Sequence, residues 1–190
     1  MSSRALIAAV LIAALIGFGF AAAATYDFAA HLDRQVHNLH CSFIPGMASS
    51  NPAGAEGCQL TLMSPYSSLL RTSLWGGIPI SLLALATFTA IAAAAGLILW
   101  LRAEDDGMAV FSLMVLGSIP VGASLVMGAI AAFKLHAACK QCIGIYVASA
   151  LIGAFSLLAY RLHIAVEQTR LRITPSAWLL SLPLTALLIL

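Results

Sequence analysis

The chain has 190 residues, of which 62% are hydrophobic and only 8% are charged, and its mean hydropathy is +1.01. A water-soluble domain of this length carries many more charges, so the composition indicates an integral membrane protein. The formal net charge of +2 comes without a basic patch or interleaved aromatic residues, and we expect no nucleic-acid partner.

Five long runs without charged residues indicate where the chain crosses the lipid bilayer. Each has roughly the 20 residues that a helix needs to span the hydrocarbon core. We therefore predict an all-α integral membrane protein, with residues 1–190 forming a single membrane domain. The expected helices cover about 5–26, 75–101, 108–133, 141–160 and 174–190. No Asp or Glu lies within the five runs, which argues against an ion-coupled transporter.

The first run has features of a signal peptide and of a permanent helix. Arg4 precedes it as a short cationic segment, and the alanines at 21–24 offer small residues to a peptidase. The apolar core is long for a signal peptide, however, and four more runs follow. We interpret it as an uncleaved helix that starts in the cytoplasm, and the loop 27–74 is then exported.

The exported loop 27–74 is the only sizeable polar part of the chain. It holds two cysteines, Cys41 and Cys58, separated by a tract rich in Pro, Gly, Ser and Asn at 45–57. Such a composition is typical of an irregular loop. The semi-apolar segment 59–70 follows, and it predicts a short amphipathic helix along the membrane surface.

The second and third runs predict an antiparallel hairpin, because only a short polar turn at 102–107 joins them. The third run then returns the chain to the exported side. Cys139 and Cys142 consequently lie on the same side of the membrane as Cys41 and Cys58. An even set of cysteines on one side suits an oxidising compartment, in which disulfides persist.

The fourth run begins with the motif Cys139-Lys140-Gln141-Cys142, and Tyr146 follows one turn later. Cysteines three apart on the first turn of a helix lie on one face, close enough to form a disulfide. The helix N-terminus and the neighbouring cations favour the thiolate. The pattern favours a redox-active dithiol at the membrane edge. Half of a metal site and structural disulfides are the alternatives.

These motifs resemble the vitamin K epoxide reductase family in its bacterial form. The resemblance depends on the split cysteine pair in the first exported loop, the Cys-x5-Ser segment from Cys58 to Ser64, the Gly77-Ile78-Pro79 start of the second helix, and the Cys-x-x-Cys-x-x-x-Tyr signature ending at Tyr146. It implies a four-helix transmembrane bundle enclosing a quinone, with the CxxC motif at the start of the fourth helix. The fifth helix would then lead towards an exported thioredoxin-like domain beyond residue 190.

The resemblance also implies roles for the four sulfurs. Cys142 is the quinone-facing sulfur, and Cys139 exchanges disulfides with Cys58. Cys41 meets the thiol of the external protein.

Three other side chains receive roles in the same way. Tyr146 hydrogen-bonds a quinone oxygen, and Ser64, also expected at the cofactor site, fixes the helix that covers the quinone. The second helix has no Asn to contact the ring and offers only Ser81 and Thr87 or Thr89. Of these, Ser81 is the expected cofactor-binding residue.

The combined features predict a membrane thiol–quinone oxidoreductase in the bacterial inner membrane. Its expected partners are a thioredoxin-like periplasmic protein, separate or fused, and ubiquinone or menaquinone from the quinone pool of the bilayer. The reaction supports disulfide formation in exported proteins. A lipid-soluble quinone needs only an apolar pocket with a few hydrogen-bond donors.

Two alternatives stay open. A DsbB-type quinone-linked oxidase does similar work, but we expect it to place the CxxC in the first exported loop and the split pair in the second, the reverse of the order here. A zinc- or copper-binding membrane module that uses the four cysteines and the loop histidines belongs to a different class.

Overall fold

A computed structural model describes residues 2–32, 61, 64–70, 77–136 and 139–170. Four long helices make up most of this part: α1 (Ser3–Leu32), α2 (Ile80–Leu101), α3 (Gly107–Ile130) and α4 (Lys140–Arg170). Each is long and apolar enough to cross a membrane, over Ser3–Ala30, Ile80–Leu101, Gly107–Leu135 and Lys140–Ala165. The chain is a multi-pass membrane protein with four candidate spans in its described part.

The first four predicted helices are confirmed, but the second begins at Ile80 instead of 75, because Ile78–Pro79 form a strand. Two others extend further than the uncharged runs. α1 continues to Leu32 and α4 continues to Arg170. The expectation that no acidic residue lies in a span was wrong, because Asp27 falls within α1 and is completely buried. A carboxylate that faces a neighbouring helix instead of lipid does not have to end a membrane helix.

Several predicted features fall outside the part of the chain that the structure describes. They are the fifth helix at 174–190, most of the exported loop, and the loop cysteines Cys41 and Cys58.

The helices do not pack in chain order. α1 packs extensively against both α2 and α4, and α3 packs against α4. α2 and α3 are consecutive in sequence but make much less contact with each other. This arrangement leaves space between α2 and α3, with α1 and α4 behind it.

A tight turn joins α2 to α3, as the sequence predicts. Arg102 ends α2 in the left-handed conformation, with φ of 53°, and its backbone N–H bonds the carbonyl of Ile98. Asp106 caps α3, because its Oδ1 accepts a hydrogen bond of 3.0 Å from the backbone N–H of Met108. A left-handed residue at the end of one helix and an Asp N-cap on the next are both typical of short helix connections.

The segment before α2 agrees with the predicted surface helix 59–70 at Thr61, which is helical, but differs from it from residue 64 onward. Residues 64–70 form a turn at Pro65 and a two-residue strand, β1 (Ser68–Leu69). This strand pairs antiparallel with β2 (Ile78–Pro79), directly before α2. Proline suits the second position of a turn and disfavours the helical conformation in the residue before it.

Glycines allow α3 and α4 to approach closely, and this contact makes a testable prediction. A Cβ added at Gly117 would lie 2.8 Å from Ser156 Oγ, whereas one added at Gly122 meets nothing within 4 Å. Gly117→Ala should therefore destabilise the protein by about 1–3 kcal/mol, through forced side-chain and backbone shifts. Gly122→Ala, on the same helix, is the control and should be neutral or slightly stabilising. Thermal unfolding in detergent measures both, and equal effects would contradict the close packing.

Candidate functional site

The two cysteines of the CxxC motif lie at the N-terminus of α4. Cys139 directly precedes the helix, and its carbonyl accepts a hydrogen bond of 2.9 Å from the backbone N–H of Ile143. The backbone N–H of Cys142 points at Cys139 Sγ, at 3.4 Å. Cys139 thus acts as the N-cap of α4, with a sulfur in the place where a capping oxygen usually accepts. Both side chains are in the thiol form.

This position changes the acidity of Cys139. Its pKa lies below the ordinary value, chiefly because the Cys142 side chain hydrogen-bonds its sulfur, and the backbone N–H groups of Cys142 and Gln141 add to this. Burial and the negative charge of Asp27 act in the opposite direction but do not outweigh the hydrogen bonds. Cys139 therefore has more thiolate character than an ordinary cysteine, and such a sulfur leaves readily in thiol–disulfide exchange.

An apolar cavity of about 300 Å³ lies between the helices, and all four contribute to its wall. It occupies the space that the sparse contact between α2 and α3 leaves open. Cys142 is on the wall, whereas Cys139 is not. Most of the lining is aliphatic or aromatic, including Phe28, Phe88, Ile119, Met127 and Ile145.

A few hydroxyl groups interrupt the apolar wall. Ser81 Oγ lies 3.0 Å from Thr25 Oγ1 on α1. The Thr25 hydroxyl already donates to the Ala21 carbonyl at 2.7 Å, so Ser81 supplies the proton of the bond between the two hydroxyls. Ser124 donates to Ser149 at 3.0 Å and so links α3 to α4 beside the cavity. Within the described residues no hydrogen bond is made by the Tyr146 hydroxyl, although the ring lines the cavity.

A second, more open cavity of about 460 Å³ lies on another side of the motif. It is bounded by the first turn of α4 and by the π-helical segment Ala131–Leu135 at the end of α3. Cys139 lines this cavity, and Cys142 and Tyr146 line both. The two sulfurs therefore differ in access, because only Cys142 is on the wall of the apolar cavity. π-Helical turns of this kind are frequent at functional sites.

The predicted ring-contacting residues occupy different positions. Ser81 and Tyr146 are on the wall of the apolar cavity, as is Thr87, whose hydroxyl donates to the carbonyl of Leu83 in its own helix. Thr89 bonds its own helix in the same way but does not line the cavity.

Ser64 is buried behind the cavity wall and does not line it. Its hydroxyl donates to the carbonyl of Thr61 at 2.9 Å, and its carbonyl accepts from the Ser67 hydroxyl at 2.8 Å. Thr61 and Ser67 are themselves on the wall. Ser64 thus organises the short segment at one end of the cavity.

Sequence reasoning missed a polar pair next to the motif. Asp27 and Gln141 are both completely buried, and Gln141 Nε2 donates to Asp27 Oδ2 at 3.4 Å. The available signals were a charged residue at the end of the first uncharged run and an amide between the two cysteines. Neither signal identifies the pairing without knowledge of the faces on which α1 and α4 meet.

No metal centre is evident in the described ranges. Within 2–32, 61, 64–70, 77–136 and 139–170, no group of three or more His, Cys, Asp or Glu side chains is placed to hold an ion. A site that uses Cys41 and Cys58 would include residues outside these ranges, so the zinc or copper alternative stays a prediction.

The sequence matches a family model described as the vitamin K epoxide reductase family, over residues 8–157. The matched range begins in α1 and extends well into α4, so it includes the CxxC motif and the wall of the apolar cavity. A search of curated proteins finds no match.

Proposed function

Because the chain belongs to the vitamin K epoxide reductase family, we propose that it passes electrons from a thioredoxin-like protein dithiol to a quinone. Family membership implies thiol–quinone oxidoreductase activity in general terms. The proposed route runs through Cys41 and Cys58 to Cys139 and Cys142. The position of Cys142 on the wall of an apolar cavity between four membrane helices is the observation that carries this proposal.

The apolar cavity suits the ring of ubiquinone or menaquinone. Its volume is at the lower end of the range for small-molecule pockets, and its lining is mainly apolar with a few hydroxyl groups. Quinone carbonyl oxygens accept hydrogen bonds, and the Tyr146 hydroxyl, which makes none within the described residues, has a proton to offer. Ser81 would have to turn its hydroxyl from Thr25 to donate to a quinone. A bound quinone would accept two electrons and two protons. Thr87 is less suited, because its proton already binds the carbonyl of Leu83.

The proposed exchange begins from a Cys139–Cys142 disulfide. The Cys58 thiolate attacks Cys139, which forms the Cys58–Cys139 bond and releases Cys142 as a thiolate. Cys41 then attacks Cys58, which re-forms the loop disulfide and releases Cys139. The lowered pKa of Cys139 favours this last release.

The dithiol Cys139–Cys142 is then ready to give two electrons and two protons to the quinone and return to the disulfide. The two cysteines differ in the cavities that they line, which supports separate roles for Cys139 in disulfide exchange and for Cys142 in quinone reduction. Cys139 opens onto the second cavity, and Cys142 is the sulfur on the wall of the apolar one.

The test is an assay with purified protein in detergent. A reduced thioredoxin-like protein should reduce a quinone only when the membrane protein is present. Zinc and copper analysis of the same sample, beside a thiol count, addresses the metal-binding alternative. One equivalent of tightly bound metal together with absent quinone reduction would favour that alternative.

We also propose that the cysteines lie on the exported side of the bacterial inner membrane. A membrane-impermeant thiol reagent should then label reduced Cys41 and Cys58 in intact cells. A reporter fused after Asp106, in the turn between α2 and α3, should behave as cytoplasmic. Labelling that requires broken cells would invert this topology and remove the link to exported proteins.

A further inference from the structure

A carboxylate from α1 is buried beside the redox motif, and the exchange steps above do not use it. Asp27 is completely buried, and its Oδ2 accepts a hydrogen bond of 3.4 Å from Gln141 Nε2. Gln141 is itself completely buried and lies between Cys139 and Cys142 in the motif. The pair therefore joins α1 directly to the dithiol turn.

We propose that Asp27 is a positioning residue for the dithiol: by binding Gln141, it fixes the first turn of α4 against α1. The inference rests on the proposed function in one respect, because it takes Cys139 and Cys142 to be the redox pair. The inference gives a role to a residue of α1 that takes no part in the disulfide exchange itself.

Helix geometry explains how this contact would orient the sulfur. Successive residues of an α-helix point about 100° apart around its axis. Since Gln141 is turned towards Asp27 on α1, Cys142 is turned away from that contact and towards the two cavities. Loss of the contact would allow the first turn to rotate, and the Cys142 backbone N–H would no longer be held at Cys139 Sγ.

The cost of burying Asp27 supports a functional role. A carboxylate in a membrane span loses its hydration, which is unfavourable unless polar groups compensate. An apolar side chain would pack between α1 and α4 without this cost. Ionisable residues inside membrane helices are for this reason usually associated with function.

The charge of Asp27 affects the pKa of Cys139, and a purely structural contact would not have this effect. It raises the pKa of Cys139, against the larger lowering that the Cys142 side-chain hydrogen bond produces. Among the residues that the structure describes, the other titratable groups around Cys139 are Cys142, Tyr146 and His136, which share its cavity, and the adjacent Lys140.

The test uses the full chain with Cys41 and Cys58 replaced by serine, so that only the CxxC pair reacts. Asp27→Asn removes the charge but keeps an oxygen that can accept from Gln141, whereas Asp27→Leu removes both. Alkylation of Cys139 as a function of pH, followed by peptide mapping, measures the effect of charge. Asp27→Asn should react at lower pH than the parent, because a negative charge near the thiolate is gone. Asp27→Leu should react at higher pH than Asp27→Asn, because the Cys142 backbone N–H is no longer held at the Cys139 sulfur.

Equilibration of the Cys139–Cys142 pair with glutathione measures positioning, because a well-held pair forms its disulfide more readily. The equilibrium constant for disulfide formation should fall slightly in Asp27→Asn. In Asp27→Leu we expect a further fall of about tenfold, since the two sulfurs are no longer held together. Gln141→Leu should resemble Asp27→Leu, and the double Leu variant should be no worse than either single one.

Each outcome of these measurements decides the proposal. Equal glutathione equilibria for Asp27→Asn and Asp27→Leu, or additive effects of the Asp27 and Gln141 substitutions, would overturn the positioning role. The double variant buries an apolar pair in place of the polar one, so we expect it to fold. Its result therefore does not depend on misfolding. Neither measurement needs a quinone or a protein partner. If the parent protein failed to reduce quinone, the proposed function would be wrong, but the conclusion about Asp27 and the cysteine pair would still hold.

Discussion

Cys142→Ser should abolish quinone reduction and trap the protein as a disulfide between Cys58 and Cys139. Of the two motif cysteines, Cys142 is the one on the wall of the apolar cavity. Without its sulfur the motif cannot return to a disulfide, so electrons cannot leave for the quinone. We expect the rate to fall by on the order of a thousandfold or more.

The trapped species forms by disulfide exchange at Cys139. The Cys139 thiolate attacks the Cys41–Cys58 disulfide, bonds to Cys58 and releases Cys41 as a thiolate. In the parent protein Cys142 can attack Cys139 and free Cys58, whereas in the variant only the return attack by Cys41 is left. Alkylating the free Cys41 thiol when the reaction is quenched blocks that return and preserves the mixed disulfide. Non-reducing digestion and mass spectrometry should recover the Cys58–Cys139 peptide pair.

Cys41→Ser is the matched control for this experiment. It should leave the CxxC pair able to reduce quinone after chemical reduction, but unable to receive electrons from the protein partner. Recovery of Cys41 joined to Cys139 in the Cys142 variant would reverse the proposed roles of the two loop cysteines.

Hydropathy alone located the four membrane helices of the described region, because lipid keeps most charged residues out of a span. It misplaced the ends of α1 and α4, since charged residues continue a helix once they face protein or lie beyond the hydrocarbon. The segment 59–70 shows a different limit. Its apolar content suggested a surface helix, but Pro65 forms a turn and a short strand follows.

The motif sequence located the dithiol, but its surroundings depend on packing that no local pattern encodes. α3 packs on α4 more than on its sequence neighbour α2, and this order creates the apolar cavity. The Asp27–Gln141 contact joins residues that are 114 positions apart. Ser64 illustrates the same point, because its residue type suits a ligand contact while its position behind the wall gives it an organising role.

Filling the apolar cavity should separate quinone reduction from thiol exchange. Ala84 lies on α2 and lines the cavity, so Ala84→Phe would place a phenyl ring in the space proposed for the quinone. We expect the KM for quinone to rise by on the order of tenfold or more, because the ring must compete with the new side chain. Reduction of the CxxC disulfide by a thiol should proceed as in the parent, since Cys139 opens onto the other cavity.

Ala86→Phe provides the matched control, with the same substitution two residues further along α2. Ala86 is exposed on the outer surface of the bundle and does not line the cavity, so its KM for quinone should stay at the parent value. Equal thermal stability of the two variants would exclude a general packing defect. If Ala84→Phe left the KM unchanged, the quinone could not occupy the cavity between α2 and α3. Cys142 would then have to meet it from the second cavity, whose wall it shares with Cys139.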